Sequence, residues 1–343
     1  MPNARSNGNA FVLNDYTDEL LLIPNQWGLI NELGLFEGRG VSKHTVEFDE
    51  TSGSLVLIED KPRGERSQYN KEDYSKLHSV PVPHFPFDDA ITPADVQGRR
   101  RKGSVNEDEM QDEVRARKMM RMRKSWAATM EYARAQALQG IVYAPNSTVS
   151  LNWYTEMGQS QTTVDFVLDT AGTDLVDKNE SVIAAVQDNI QSGEVITDIV
   201  GLCSPEFFSS YVGHASVAEA YKYYSSNTEP QRNRLGSGRF RQFEHAGLRL
   251  IEYRGSFLDS AGSTQKSIPA NEAYFVPMGT SDMFLTYYSP AHKFQFVNTL
   301  GEEQYMFEYE NGTDTEITIE TESNFLNAVK RPQAVIKALR DAP

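Results

Sequence analysis

Cysteine is nearly missing from this chain: Cys203 stands alone among 343 residues. One thiol excludes an intrachain disulfide framework and a cysteine-built metal cluster. Its place in the apolar run EVITDIVGLC reads as a small buried residue rather than a nucleophile. Long apolar runs are missing too. None approaches the roughly 20 residues that cross a bilayer, and the opening MPNARSNGNAFVLND has no apolar signal core. The expectation is a protein without a leader, kept in a reducing compartment. Asn146, Asn179 and Asn311 then match the glycosylation pattern by chance. Positive charge is also short: 33 Lys and Arg face 48 Asp and Glu, a formal net charge of -15. A surface of that sign repels nucleic acid and anionic membranes on average.

Recognisable chemistry is a further absence. The six histidines, His44, His78, His84, His214, His245 and His292, show no helical ligand spacing and no HExxH. Gly236-Ser237-Gly238 lacks the Lys-Ser/Thr of a phosphate loop and the third glycine of a dinucleotide fingerprint. No serine sits in a Gly-x-Ser-x-Gly elbow. Asp88 and Asp89 are neighbours on a chain that reads as extended, so they point to opposite faces. The expectation is no metal, no cofactor and no catalytic site. An enzyme reading stays open only as an unfamiliar hydrolase built on His84, Asp88 and Asp95.

What is present is a set of elements. Leu22, Ile23, Trp27, Ile30, Leu33 and Phe36 fall near helical spacing, interrupted by Pro24, Gly28 and Gly34, which predicts a short broken helix in an arm. An ordinary first core element fits the same pattern. Thr45–Phe48 and Leu55–Ile58 are β-prone runs around a Thr51-Ser52-Gly53 turn, which predicts a protruding hairpin. Residues 61–88 read as irregular, charged and rich in proline. Residues 104–139 carry no Gly or Pro before Gly140, with Ser104 and Glu107 as a capping box, and predict a helix of roughly 50 Å. Met110, Val114, Met122, Trp126, Met130 and Leu138 make its apolar stripe. Strands follow over 141–170, then a helix near 177–192, a buried strand at EVITDIVGLC and a helix capped by Ser204 with Pro205 next. Ser216 and Glu219 form another capping box. FRQFEHAGLRLIEY, ANEAYFVPMGTSDMFLTYYSP and TEITIET read as strands.

Arg99, Arg100, Arg101 and Lys102 begin a basic run that Arg115, Arg117, Lys118, Arg121, Arg123 and Lys124 extend along the helix. Acidic residues interleave with it, so partner subunits or i,i+4 neighbours can satisfy it. A nucleic-acid-binding adaptor is the alternative. Arm, hairpin and long helix together leave apolar faces that one chain cannot bury alone, the mark of a subunit completed by assembly.

IPNQWGLINELGLF (23–36), SGSLVLIEDKPRG (52–64), FDDAITPADVQGRR (87–100) and TMEYARAQALQG (129–140) carry a resemblance. FEHAGLRLIEYRG (243–255), IPANEAYFVPMG (268–279) and ESNFLNAVKRPQAV (322–335) add to it in the same order. The chain resembles the lambda-like major capsid protein E family of tailed bacteriophages. That resemblance implies an α+β fold, the Hong Kong ninety-seven (Johnson) capsid fold. Its parts would be an N-terminal arm (1–40), an extended loop (41–86) and a peripheral domain with a spine helix (87–200). An axial domain (201–298) and a return to the peripheral domain (299–343) would complete it. It further implies self-assembly into hexamers and pentamers with scaffold, portal and decoration proteins as partners. DNA would be enclosed without sequence-specific binding, in a virion capsid assembled in the host cytoplasm. Trp27, Leu33, Phe36, Lys61, Pro62, Arg63, Arg99, Arg100, Arg101, Arg117 and Arg121 are the expected subunit contacts. Lys71 and Lys76 lie in the loop region, with no motif supporting an isopeptide bond. An encapsulin-like compartment shell remains the alternative with the same fold.

Overall fold

The computed structural model describes residues 13–15, 28–52, 74–97, 111–143, 149–190, 195–218, 240–258, 262–310 and 315–341. Two six-stranded sheets and one long helix organise them. The helix runs Gln111–Leu138, 28 residues, or about 42 Å at 1.5 Å per residue. Gly140, at φ +79°, takes the chain out of it. The expected stripe is the buried one: Val114, Met122, Trp126, Met130 and Leu138 all face inward. Ser104, Glu107 and Met110 lie outside the described residues.

The first sheet is built on one strand, Ile317–Val329. Its first half pairs antiparallel with Tyr305–Glu310 and with His84–Ile91. Its second half pairs with Phe284–Tyr288, which carries Glu37–Gly40 in parallel. Side chains alternate between faces. Ile319, Thr321 and Phe325 meet the helix: Ile319 packs with Met119 and Met122, and Trp126 Nε1 donates to Thr321 Oγ1 at 3.1 Å. Glu320, Glu322 and Asn324 point the other way, toward the loop after Tyr288.

The second sheet runs in the order Gln242–His245, Leu248–Glu252, Asp198–Cys203, Glu272–Met278, Ile336–Leu339, Thr163–Asp165. Both its faces are covered, so its strand Asp198–Cys203 is apolar from Ile199 to Cys203, as the run EVITDIVGLC predicts. Val200 and Leu202 face the core shared with the long helix. Ile199 and Cys203 face a second core with Phe166, Phe207 and Phe275. Cys203 is fully buried, and burial pushes its thiol far up, which makes it inert. Helices Leu175–Asn189 and Pro205–Val212 cover that core, and Ser204 Oγ caps the second by accepting from Phe207 N at 3.3 Å.

Three expectations change. The hairpin strand Thr45–Ser52 pairs with Tyr74–Pro81, so Leu55–Ile58 is not its described partner and Thr51 and Ser52 are strand, not turn. Residues 53–73, with Leu55–Ile58, lie outside the described residues. The stretch read as irregular holds two strands, Tyr74–Pro81 and His84–Ile91. Its prolines sit where a ladder tolerates them, at a strand end and between strands (Pro81, Pro83), or on an edge (Pro86). The helical turn at 215–218 starts one residue before Ser216, and His214 Nδ1 accepts from Ser216 N at 3.3 Å. Asn179 is buried, bonded to Tyr211 OH at 2.8 Å, which rules out a surface acceptor there.

Candidate assembly surfaces

The arm enters the body at Gly28. A four-residue helix, Leu29–Glu32, follows. Its first amides do not cap themselves. Glu131, in the middle of the long helix and fully buried, accepts from Ile30 N at 2.8 Å and Asn31 N at 3.0 Å. The same carboxylate accepts from Tyr253 OH at 2.8 Å. Gly28 sits at φ +102°, which favours glycine, and a Cβ there would lie 2.1 Å from the carboxyl carbon of Glu131. Arg134, one turn on, donates to Asn31 Oδ1 at 2.5 Å. Burial lifts the Glu131 carboxyl above its ordinary value, partly offset by these hydrogen bonds. One carboxylate therefore ties arm, long helix and second sheet together. No sequence pattern named it. The available signal was a charged residue seven before Leu138, on the buried stripe.

Among the described residues of the arm, Leu29, Ile30 and Phe36 are buried in this chain's own core. Phe36 is buried, edge-on to Phe284 at 5.6 Å with the Arg134 guanidinium 5.5 Å from its ring centre. Leu33 is half-buried against the same core. Within this chain Phe36 thus serves as an ordinary first core element. Trp27, Lys61, Pro62, Arg63, Arg99, Arg100 and Arg101 lie outside the described residues.

The ribbon of Thr45–Ser52 and Tyr74–Pro81 is anchored at its root. Phe48 meets Trp153 and Tyr287 edge-on, each at 5.5 Å, and Val46 and Val80 are buried beside them. His44 Nδ1 lies 2.9 Å from Ser289 Oγ, and His78 Nδ1 lies 3.1 Å from Glu156. Farther along, Leu77 stands exposed.

The basic stripe is largely satisfied inside the chain. Arg115 meets Glu308 and Asp112, each at 2.8 Å. Lys118 meets Asp89 at 3.0 Å and Asp95 at 3.6 Å, and Arg123 meets Glu303 at 3.5 Å. Arg117 is half-buried, while Arg121 and Lys124 are exposed.

The hydrolase trio does not come together. His84 Nδ1 lies 2.6 Å from Asn324 Oδ1, and Asp95 closes a capping box with Thr92. Asp88 faces Glu320 while Asp89 faces Lys118, the opposite-face arrangement expected of neighbours on a strand. Burial, then the Glu320 charge, raises the Asp88 carboxyl above its ordinary value. Among the described residues no three His, Cys, Asp or Glu side chains gather as a metal site.

The family model for phage major capsid protein E matches residues 14–339. The chain is 42% identical over 340 residues to the major capsid protein of Pseudomonas phage KPP10, covering 96% of this chain and 97% of that one. It is 28% identical to that of Salmonella phage Felix O1, covering 98% of each. In structure it resembles the mature capsid of bacteriophage PhiM1, with TM-score 0.50, 11% identity, and 90% and 86% of the two chains covered. It also resembles the capsid of cyanophage A-1(L), with TM-score 0.50, 10% identity, and 92% and 94% covered. The fold is that of tailed-phage capsid subunits, and the chain belongs to the phage major capsid protein E family.

Proposed function

We infer that this chain is the major capsid protein of a tailed bacteriophage, the subunit that self-assembles into the icosahedral head around double-stranded DNA. The observation that carries this is the near-full-length likeness to the KPP10 protein. The encapsulin-like reading shares the fold but not that family match. The arm and the ribbon would lap neighbouring subunits in hexamers and pentamers, with the second sheet nearer the symmetry axes. Many modest contacts in a closed lattice add up to a strong shell. The charge of -15 supports a lining that encloses DNA without gripping it. Scaffold, portal and decoration proteins would be its partners, and assembly would take place in the host cytoplasm before the virion is complete.

The test is to produce the chain alone and together with its neighbouring head genes, then examine it by electron microscopy and light scattering. Shells, tubes or capsomer rings are expected. A chain that stays monomeric with its scaffold present overturns the reading. Isolated subunits should also show only weak affinity for duplex DNA.

A further inference from the structure

The first part of the loop after Tyr288, residues 289–300, lies on the face of the first sheet opposite the long helix, before Glu303 returns to Arg123. Alternation along Ile317–Val329 places it there: Thr321 touches the helix, whereas Glu320 and Glu322 hold the loop. The loop is firmly seated. Phe296 packs on Tyr305 at 4.9 Å and on Phe307 at 5.7 Å. Lys293 Nζ reaches Glu320 at 2.5 Å and also bonds Tyr309 OH. A 3-10 turn spans Phe294–Phe296, and Thr299 N and Oγ1 both bond Phe296 O. Gly301 N donates to Val41 O at 3.0 Å, which joins the loop to the root of the ribbon.

Between polar residues such as Gln295, Asn298 and Thr299, this seated loop presents three apolar side chains outward. Phe294 is 100% exposed, Leu300 69% and Val297 61%. Scattered surface apolar residues are normal, but three large ones on seven residues of a pinned loop are not. Pinning matters because a contact made by a preorganised loop loses little entropy on binding.

We propose that Phe294, Val297 and Leu300 form a subunit-contact knob that docks on a second copy of this chain. The proposal rests on the capsid reading above. Continuity points to a second copy: the knob shares its root with the ribbon, at Val41 and at His44 beside Ser289 and His292. A neighbour lapped by the ribbon would meet the knob in the same contact. Size agrees. Three such side chains cover on the order of 400 Å², about half of the roughly 800 Å² per partner in a standard interface. The knob alone is too small for a stable dimer and works only where other contacts hold the copies together.

The decisive experiment places the photocrosslinking residue p-benzoylphenylalanine at position 294, aromatic for aromatic, in particles assembled with the phage head genes. Irradiation should join two copies of this chain, with the linked peptides found by mass spectrometry. Links only to a different head protein, only within one chain, or none at all would overturn the proposal. In parallel, Phe294→Ser with Val297→Ser should leave subunit circular dichroism unchanged and cut shell yield at least tenfold. Undiminished yield would count against it. If the wild-type chain with its head genes makes no shell, the capsid reading itself fails. If shells form and position 294 does not link copies, only the knob fails.

Discussion

The two sheets are held together by different physics. The second sheet has a core of stacked and edge-on rings, with Phe166 centred 5.4 Å from Phe207 and 6.0 Å from Phe275. The first sheet buries charge and amide: Arg123, Glu308, Glu322, Asn324 and Asn327 lie inside it or its helix interface, and Glu131 adds a buried charge where the same helix meets the arm and the second sheet. An apolar core needs only volume and shape. A polar one needs every partner present, since a buried polar group left unsatisfied costs about 1–3 kcal/mol. The core on the far face of the second sheet is therefore mostly a matter of shape, with Asn179 as its buried amide, while the other face shares a core with the long helix. The first sheet's buried polar groups find their partners on remote segments, the long helix and the loop after Tyr288.

The largest expected effect breaks the apolar side. Phe275→Ala removes a fully buried ring shared by Phe166 and should cost about 3–5 kcal/mol, read as a fall in the thermal midpoint. On the polar side, Glu131→Ala strands Ile30 N, Asn31 N and Tyr253 OH and should cost about 1–3 kcal/mol. Its signature is local: amide exchange at Ile30 and Asn31 should rise by a larger factor than at Val200. Uniform exchange would argue against a staple. Ser204→Ala removes one helix cap and should cost about 1 kcal/mol, with Ser204→Asp recovering most of it.

Acid gives the smallest and sharpest comparison, because it acts oppositely on the two sides. His245 is pushed down from 6.5 by burial, partly offset by Asp174. Its neutral form is the one the fold prefers, with Nδ1 at 2.9 Å from Tyr211 OH. Its contribution is complete above 6.5 and is lost as pH falls through the lowered folded value. Glu131 is pushed up from 4.5 by burial. Its contribution is complete below 4.5 and is lost as pH rises through the raised folded value. The stability difference between wild type and His245→Phe should thus shrink on acidification below pH 6.5. Against Glu131→Gln, wild type should lose ground as pH climbs from 4.5. Chemical denaturation of subunits across that range checks both signs.

Parts of this molecule were readable in one dimension because their causes are local. The stripe of Val114, Met122, Trp126, Met130 and Leu138 reports a helix packed on one side, and that is how it lies. Ser204 before Pro205 reports a helix start, and the hydroxyl caps Phe207 N as that pattern requires. The unbroken apolar run at 199–203 reports a strand covered on both faces. The ribbon's pairing was not readable. Leu55–Ile58 lies near Thr45–Phe48 in sequence, yet the described partner is Tyr74–Pro81, set by Val46 and Val80 sharing a core with Trp153. The pattern around Phe36 fitted an arm contact and an ordinary first core element alike, and within the chain Phe284 on a distant strand packs against it.

The sequence by itself determined the long helix and its stripe, the buried strand, the Ser204 cap, the sign of the surface and, through motifs in order along the chain, the family. Each rests on neighbours within a few residues, where periodicity and propensity act. The tertiary structure alone decided that Glu131 holds the arm and why Gly28 has no side chain. It also decided that Phe294, Val297 and Leu300 face outward from a pinned loop. Those outcomes depend on residues about 100 positions apart meeting at hydrogen-bond distance, and no local pattern encodes which distant group arrives.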